Sequence, residues 1–262
     1  MKQAREEKKS PVSQKHLRYA GQSLDKEIEN LITSKLLMVF ISVTAFFIAS
    51  LNDWVHYYFQ KIPNPLFSSI VFLIALGWGI HTIIKLKKTL KNKQQGLDGE
   101  KEVGYILEEL RENGVKVYHD MIGNNFNLDH ILICEKGIFV IETKTWSKPI
   151  SGKANIIVDG ENLILNGENK GNKPIIQAKA GANWLKNFLK ETTSREFQVN
   201  PIVLFLGWYI ETPIKNQKDV WVFHPKGFDS YFRKYLEFAP QIYTKEDIAM
   251  ISYRIREYIK AN

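Results

Sequence analysis

The stretch FNLDHILICEKGIFVIETKTW, residues 126–146, decides the fold of the second part of the chain. Two runs of β-prone apolar residues, 128–133 and 138–141, flank the short polar turn Glu135-Lys136-Gly137. This pattern predicts a β-hairpin. Neither run alternates cleanly between apolar and polar residues, so we expect both strands to be covered on both faces.

Three ionisable residues of this hairpin, Asp129, Glu142 and Lys144, need an explanation, because a charge in a buried strand is costly unless it is paired or metal-bound. Residues two apart share a strand face, so Glu142 and Lys144 point the same way, roughly 6.6 Å apart along the strand. A two-residue turn at Glu135-Lys136 makes the numbers of opposed residues add up to 271, which places Asp129 opposite Glu142. Opposed Cβ atoms lie about 4.5–5.5 Å apart, close enough for two carboxylates to hold one cation. A three-residue loop with a bulge at Gly137 would shift the register and separate them.

An aspartate followed by Glu-x-Lys on the adjacent strand resembles the PD-(D/E)xK phosphodiesterase superfamily. The order of three motifs is similar to the nuclease-related domain (NERD) family, from about Gly96 to the C-terminus. This resemblance implies an α/β fold with a restriction-endonuclease-like mixed sheet flanked by helices. The chain has Lys173-Pro174 where the family often shows Asn-Pro. The motifs are GLDGEKEVGYILEEL at 96–110, LDHILICEKGIFVIETKTW at 128–146 and KPIIQAKAGANWL at 173–185.

The resemblance implies a metal-dependent hydrolysis of phosphodiester bonds. It assigns the metal to Asp129 and Glu142, and the catalytic ammonium group to Lys144. It makes Glu100 a third carboxylate that approaches the metal from a helix, and Gln177 a residue that helps to close the site. Carboxylate oxygens suit Mg²⁺ or Mn²⁺, which lowers the pKa of a bound water. A neighbouring lysine can orient or deprotonate that water, or stabilise negative charge in the transition state.

Each of these residues also has a structural interpretation. The three hairpin residues can form a buried ion-pair network without catalysis. Glu100 is equally well explained as an acidic residue in the first turn of a helix, where the helix dipole favours it. Gln177 fits the surface of a second helix. His130 adjoins Asp129 and therefore points to the opposite strand face, which favours a packed or hydrogen-bonded role.

Two charge-free runs in the first part of the chain, residues 36–52 and 62–84, predict a transmembrane helical hairpin. A hydrocarbon core of about 30 Å needs roughly 20 mostly apolar helical residues. Trp54, Tyr57 and Tyr58 follow the first run and fit an interfacial aromatic belt. Two buried helices of a soluble protein are the alternative. The predicted organisation is a basic N-terminal segment (1–35), the hairpin (36–84), a basic linker (85–95) and the nuclease-like domain (96–262).

The positions of the basic residues predict the orientation in the membrane. Eight Lys or Arg residues precede the first run and five lysines follow the second, whereas the connecting loop has only Lys61. Positive residues stay on the cytoplasmic side, so we expect a cell-membrane protein with two spans and both termini in the cytoplasm. The flanking charge can also contact anionic lipid headgroups of the bilayer.

The overall charge is no sign of nucleic-acid binding. Residues 1–95 hold 14 basic and 6 acidic residues, which accounts for the whole net charge of +8, whereas residues 96–262 hold 22 of each. Cys134 is the only cysteine, which excludes an intramolecular disulfide and a cysteine-based zinc site. The six histidines show no metal-ligand spacing. The charge count does not exclude a local basic groove. Its members would be Lys144, Lys148, Lys153, Lys170, Lys173 and Lys179.

Two C-terminal features predict local structure. ANIIVDGENLILNG, residues 154–167, predicts two short strands around a turn at Asp159-Gly160. Thr244 is expected to cap a final helix.

The sequence as a whole predicts a membrane-anchored, metal-dependent nuclease that uses Mg²⁺ or Mn²⁺. Its expected partner is nucleic acid, with DNA favoured over RNA. The alternative is a catalytically inactive nuclease-fold module that binds nucleic acid or a protein partner at the membrane. Cleavage that depends on Glu142 and Lys144 distinguishes the two functions.

Overall fold

The computed structural model describes residues 17–59, 65–124, 126–149, 152–214, 217 and 219–261. The chain forms two compact units. The helical unit is Gly21–Lys101. The sheet unit comprises the described residues from 102 onward together with residues 17–20, which precede the helical unit.

The helical unit consists of long helices. Helix α1 (Gln22–Leu31) continues through a π-helical turn (Ile32–Leu36) into α2 (Leu37–Tyr58), and α3 (Pro65–Glu108) runs on into the sheet unit. Helix α1 packs against the later part of α3, where Lys93 Nζ lies 2.7 Å from Glu27 Oε1.

Helices α2 and α3 pack along each other in antiparallel directions. A Cβ atom at Gly79 would lie 3.0 Å from Val43 Cγ2, so the missing side chain lets the two helices approach closely. At the other end of the pair, the Ser50 and Ser69 hydroxyls are 3.2 Å apart, and the Trp54 indole N–H donates to Ser69 Oγ at 2.9 Å. Small residues at the close approach and hydrogen bonds between hydroxyls are typical of helix pairs in membranes.

The apolar residues of these helices face outward. The most apolar windows of Gln22–Tyr58 and Pro65–Asn113 have hydropathies of 2.1 and 1.9, and only 6% of each window is buried within the structure. A core helix of a soluble protein buries such a surface, and large exposed apolar patches mark contact with lipid or with another protein. Both helices are therefore long and apolar enough to cross a membrane.

The helices extend further than the sequence predicts. Helix α2 includes Asp53 and continues to Tyr58, where a loop was expected. Helix α3 includes residues 85–95, the expected linker. These eleven residues contain no proline and are rich in lysine, leucine and glutamine, which favour helix, and the single Gly96 costs only about 1 kcal/mol. Residues 60 and 61 of the expected loop and residues 1–16 of the N-terminal segment lie outside the described residues, and the domain boundaries stay predictions.

The sheet unit contains nine strands in the part of the chain that the structure describes. They are β1 (Lys116–Ile122), β2 (Asn127–Cys134), β3 (Gly137–Lys144), β4 (Asn155–Asp159), β5 (Asn162–Leu165), β6 (Glu168–Asn169), β7 (Val199–Phe205), β8 (Tyr209–Ile210) and β9 (Trp221–Phe223). A 3-10 turn (Glu109–Asn113) ends α3, and the later helices are α4 (Lys173–Thr193), α5 (Pro225–Phe238) and α6 (Lys245–Ala261).

The main sheet has the strand order β1-β2-β3-β7-β9. Strands β1, β2 and β3 pair antiparallel, whereas β3, β7 and β9 run parallel to one another. A second sheet has the order β6-β5-β4-β8. The predicted fold class, a mixed sheet flanked by helices behind two apolar helices, is confirmed.

Helices cover both faces of the main sheet, as the unbroken apolar runs of β2 and β3 predict. On one face, Ile131 and Val140 pack with buried residues of α4 and α6, such as Leu185 and Ile251. On the other face, Phe139 packs with residues of α5 and the end of α3. The second sheet packs its inner face against α4 and β7.

Helix α4 lies close to the hairpin and runs back along the main sheet. A Cβ atom at Gly181 would lie 2.7 Å from Leu128 Cδ2 and 3.3 Å from Val140 Cγ1. Ile175, near the start of α4, shares a cluster with Phe205 at the end of β7. Leu189, near the end of α4, shares a cluster with Ile138 at the start of β3. The N-terminal end of α4 therefore lies toward the carboxyl ends of β3 and β7.

The turn between β4 and β5 differs from the sequence prediction. Asp159 pairs with Asn162, so the turn residues are Gly160 and Glu161 rather than Asp159 and Gly160. Gly160 has a φ of 59°, which favours glycine. This register pairs Val158 with Leu163, and both side chains are buried against the core. Burial of the apolar pair decides the register.

Candidate active site

The β2–β3 hairpin has the predicted two-residue turn. Its pairs run from Cys134 with Gly137 to His130 with Ile141, so the numbers of paired residues add up to 271. One residue beyond the last pair, this register places Asp129 opposite Glu142. Asp129 Oδ2 accepts a hydrogen bond from the Thr143 backbone N–H at 2.7 Å, which holds the carboxylate against the end of β3.

Glu142 and Lys144 lie on the same face of β3 and form an ion pair. Lys144 Nζ is 2.5 Å from Glu142 Oε1. The two side chains are 14% and 18% exposed, so the pair is shielded from bulk water without being sealed in the core. Because partial burial lowers the local dielectric, charges in this position act more strongly on a ligand than charges on an open surface.

The three side chains lie where adjacent parallel strands end. Lys144, the last residue of β3, pairs with Phe205, the last residue of β7. The Leu206 backbone N–H donates to the Lys144 carbonyl oxygen at 2.9 Å and extends the pairing by one residue. Ligands of open α/β sheets bind at the carboxyl ends of parallel strands. The position therefore favours a binding site over a purely structural ion pair.

Two loops at this sheet edge carry further polar groups. A Cβ atom at Gly207 would overlap Lys148 Cε, so the glycine gives the Lys148 side chain room to cross the turn after β7. His224, after β9, accepts a hydrogen bond from the Lys226 backbone N–H at the start of α5. Burial lowers the pKa of His224, the charges of Lys226 and Lys148 lower it further, and Glu102 partly offsets them.

The two other predicted site residues lie on helices. Gln177 is exposed in the first half of α4. It precedes Gly181 by one helical turn, and this end of α4 lies toward the carboxyl ends of β3 and β7. Glu100 is a residue of α3 that belongs to the helical unit. The structure thus brings Asp129, Glu142 and Lys144 together, and the roles of Gln177 and Glu100 stay predictions.

The carboxylates of the hairpin fit a hard divalent cation. Mg²⁺ is commonly held by one or two carboxylates and keeps several waters, which matches Asp129 and Glu142. Among the described residues, no group of three or more His, Cys, Asp or Glu side chains is placed to hold a metal. A structural zinc site, which takes four protein ligands, is a poor match to this pair of carboxylates.

Acidic side chains neutralise three of the six lysines of the local basic groove proposed from the sequence. Lys144 pairs with Glu142, Lys170 pairs with Glu168, and Lys179 lies 2.5 Å from Glu161 and 3.1 Å from Asp219. Less uncompensated positive charge is therefore present at the site than the sequence suggests.

His130 has the packed role that its position next to Asp129 predicts. It is fully buried, and its Nδ1 lies 2.8 Å from Nδ1 of His119. His119 Nε2 lies 2.8 Å from Glu108 Oε1. These contacts lie on the face of the strand away from Glu142.

Sequence reasoning missed two features of the site. Trp146 lies two residues beyond Lys144, just after the end of β3, so the spacing of two that relates Glu142 to Lys144 was a signal for it. The hydrogen bond from the Thr143 N–H to Asp129 had no sequence signal, because it depends on the aspartate lying just beyond the paired residues.

Comparison with family models identifies residues 95–206 as a nuclease-related domain (NERD). All five predicted site residues lie within this range. Neither the curated proteins nor the solved structures contain a match to the chain. The chain thus carries a nuclease-related domain, preceded and overlapped by two helices that are long and apolar enough to cross a membrane.

Proposed function

We propose that the sheet unit hydrolyses phosphodiester bonds of nucleic acid with the help of a divalent metal ion. One observation carries the proposal: the hairpin register brings Asp129, Glu142 and Lys144 to the same end of two adjacent strands. The nuclease-related domain at residues 95–206 supports the substrate class. DNA is the favoured substrate and RNA is the second.

Each side chain has a distinct chemical role in this proposal. Asp129 and Glu142 hold Mg²⁺ or Mn²⁺, which supplies a water of lowered pKa and neutralises charge on the phosphate when it is bound. Lys144 exchanges its contact with Glu142 for the attacking water or a phosphate oxygen. In that position its ammonium group orients the water or stabilises negative charge in the transition state.

We also propose that the chain is anchored in the cell membrane by two spans, with both termini in the cytoplasm. Residues 17–20 and the residues from 102 onward belong to one compact unit, so we expect both ends of the helical unit on the same side of the membrane. With both ends on the same side, the helical unit must cross the membrane an even number of times. The excess of basic residues outside the connecting loop favours the cytoplasmic side.

A cleavage assay on the full chain in detergent tests the catalytic proposal. Supercoiled plasmid, single-stranded DNA and RNA are incubated with Mg²⁺, Mn²⁺ or a chelator. We expect cleavage of DNA that needs the metal, and a loss of about 100-fold or more in Lys144→Met and in Glu142→Gln. Lys234→Met, which removes an exposed lysine of α5, is the matched control and should cut like the wild type.

Two outcomes contradict the proposal. One is a wild-type chain that cuts no nucleic acid under any of these conditions. The other is cleavage by Lys144→Met and Glu142→Gln at the wild-type rate, which would point to a contaminating nuclease. Thermal unfolding of each variant shows whether lost activity reflects lost structure.

The Glu142–Lys144 ion pair favours one alternative function. A lysine that already neutralises the nearby glutamate satisfies the site without a metal, as expected for a catalytically inactive module that binds nucleic acid or a protein partner at the membrane. Binding that survives in Lys144→Met, with no cleavage by the wild type, would identify that function.

A further inference from the structure

A groove lined by two tryptophans opens beside the candidate active site. It has a volume of about 490 Å³. It lies between the loop after β3 and the β5–β6 hairpin, and both of these belong to the sheet unit. The lining residues that matter here are Trp146, Pro149, Leu165, Asn166, Lys170 and Trp208.

The tryptophans are held in place by the protein itself. Trp208 is almost fully buried, and its indole N–H donates to the Trp146 carbonyl oxygen at 3.0 Å. The half-buried ring of Trp146 packs against Phe205, with ring centroids 4.9 Å apart. An aromatic side chain that is fixed before binding loses little conformational freedom when a flat ligand stacks on it.

The groove lies within one nucleotide of the proposed cleavage chemistry. Trp146 follows Lys144 by two residues, so their Cα atoms are at most roughly 7 Å apart. A strand whose phosphate contacts Lys144 can therefore place a neighbouring base near Trp146. Asn166 adds an amide next to the rings, and the ion pair of Lys170 with Glu168 lines the edge of the groove.

We propose that this Trp groove binds one nucleobase of a single-stranded nucleic acid next to the scissile phosphate. The inference rests on the proposed function and extends it to the form of the substrate. The volume of the Trp groove falls in the range of roughly 300–1,000 Å³ that small-molecule sites occupy. A base within a duplex is stacked on its neighbours and must leave the helix to reach a protein ring, so single strands bind more tightly than duplexes.

Equilibrium binding without divalent ions tests the inference separately from cleavage. The full chain in detergent is titrated with labelled oligothymidylate, oligouridylate and a DNA duplex. We expect both single strands to bind more tightly than the duplex, with the DNA and RNA arms showing which sugar is preferred. Trp146→Ala should weaken single-strand binding by about tenfold, whereas Trp146→Phe should retain most of it.

An abasic position in the oligonucleotide gives a readout that needs no variant. For the wild type, removal of the base at one position should weaken binding by about tenfold, and the same lesion should have little effect on Trp146→Ala. This coupling identifies the base and the ring as partners. Tyr253→Ala removes an aromatic side chain that is 52% exposed on α6 and serves as the matched control.

The inference is overturned if the wild type binds duplex as tightly as single strands, or if every abasic position is neutral. It is also overturned if Trp146→Ala keeps the wild-type abasic penalty. Cleavage without this coupling would support the proposed function and contradict base binding in the Trp groove. Coupling in a chain that cuts no nucleic acid would support base binding in the Trp groove and contradict the proposed nuclease activity.

Discussion

The buried pair His119–His130 makes the stability of the sheet unit sensitive to acid. Glu108 accepts from Nε2 of His119, so Nδ1 of His119 accepts the proton of His130 Nδ1 when both rings are neutral. His130 Nε2 is then a buried lone pair, with no hydrogen-bond partner in the part of the chain that the structure describes. A proton added at that atom would be buried without an acceptor.

Acidification should therefore destabilise the folded chain. Burial lowers the pKa of His119, although Glu108 opposes the shift, and burial together with His119 lowers the pKa of His130 further. The unfolded chain takes up these protons first, from about pH 6.5 downward, so stability falls by up to about 1.4 kcal/mol per pH unit for each proton. Unfolding temperatures in detergent across this range measure the loss.

Substitutions assign the acid sensitivity to this pair. His130→Leu removes one titrating ring, so its unfolding temperature should depend less steeply on pH than that of the wild type. His81→Asn changes an exposed histidine of α3 and should keep the wild-type dependence. A wild-type unfolding temperature that stays constant between neutral and mildly acidic pH would contradict the predicted acid sensitivity of the histidine pair.

Single residues were predictable where strand period or turn chemistry constrains them. The two-residue turn at Glu135-Lys136 fixed the position of Asp129, and the period of two placed Glu142 beside Lys144. The pairing of His119 with His130 was not predictable, because it depends on the alignment of β1 with β2.

At the scale of elements, α3 packs against the segment that precedes the helical unit. A Cβ atom at Gly104 would lie 2.6 Å from Ala20 Cβ. Arg18, two residues earlier, donates from Nε and a terminal nitrogen to Asp120 Oδ2 at 2.8 and 2.6 Å. The side chains of this ion pair are 9% and 3% exposed. Because Gly104 has no side chain, the segment 17–20 can pack close enough for Arg18 to form its buried ion pair with Asp120.

Gly104→Ala should displace this segment. Better helix propensity gains about 1 kcal/mol, but an overlap with the rigid Ala20 methyl group typically costs about 1–3 kcal/mol. Displacement also leaves Asp120 without Arg18. We expect a lower unfolding temperature and faster trypsin cleavage after Arg18, measured by mass spectrometry of limited digests.

Gly227→Ala is the matched control for this helix substitution. Gly227 lies in α5, and among the described residues no atom beyond its chain neighbours and the nearby backbone of its own helix lies within 4 Å of a Cβ atom at this position. This change should be neutral or slightly stabilising and should leave cleavage after Arg18 unchanged. Equal digestion of the Gly104→Ala variant and the wild type would contradict the proposed packing.

Elements with local signals were predicted well, and elements decided by long-range packing were not. The cap of α6 is confirmed, since Thr244 Oγ1 accepts from the Asp247 N–H and Asp247 accepts from the Thr244 N–H. The β4–β5 turn followed the burial of Val158 and Leu163 instead of its Asp-Gly dipeptide. The helical course of residues 85–95 shows that a basic, polar stretch can continue a helix.

At the scale of the whole molecule, the sheet unit takes residues from both sides of the helical unit. Arg18 and Asp120 are 102 positions apart in the chain, so no local pattern indicates their contact. Composition and charge placement predicted the apolar helical hairpin, whereas the inclusion of residues 17–20 in the sheet unit required the structure.

Labelling with a membrane-impermeant maleimide tests the proposed orientation. Tyr58→Cys places a thiol where the native side chain is 82% exposed, near the connecting loop. It should react in intact cells, whereas Tyr253→Cys in the sheet unit should react only after the cells are opened. The unmodified chain is the blank, because burial shields Cys134 and raises the pKa of its thiol. Reaction of both variants in intact cells would place the sheet unit outside.

The central claim is that Asp129 and Glu142 hold the divalent ion while Lys144 acts on the chemistry. Electron paramagnetic resonance of Mn²⁺, titrated into the full chain in detergent, separates these roles. We expect the wild type and Lys144→Met to bind Mn²⁺, although only the wild type cuts DNA. Asp129→Asn combined with Glu142→Gln should abolish binding, whereas Glu168→Gln, an exposed control, should not. Equal Mn²⁺ binding by the wild type and the double variant, or none by the wild type, would contradict the claim.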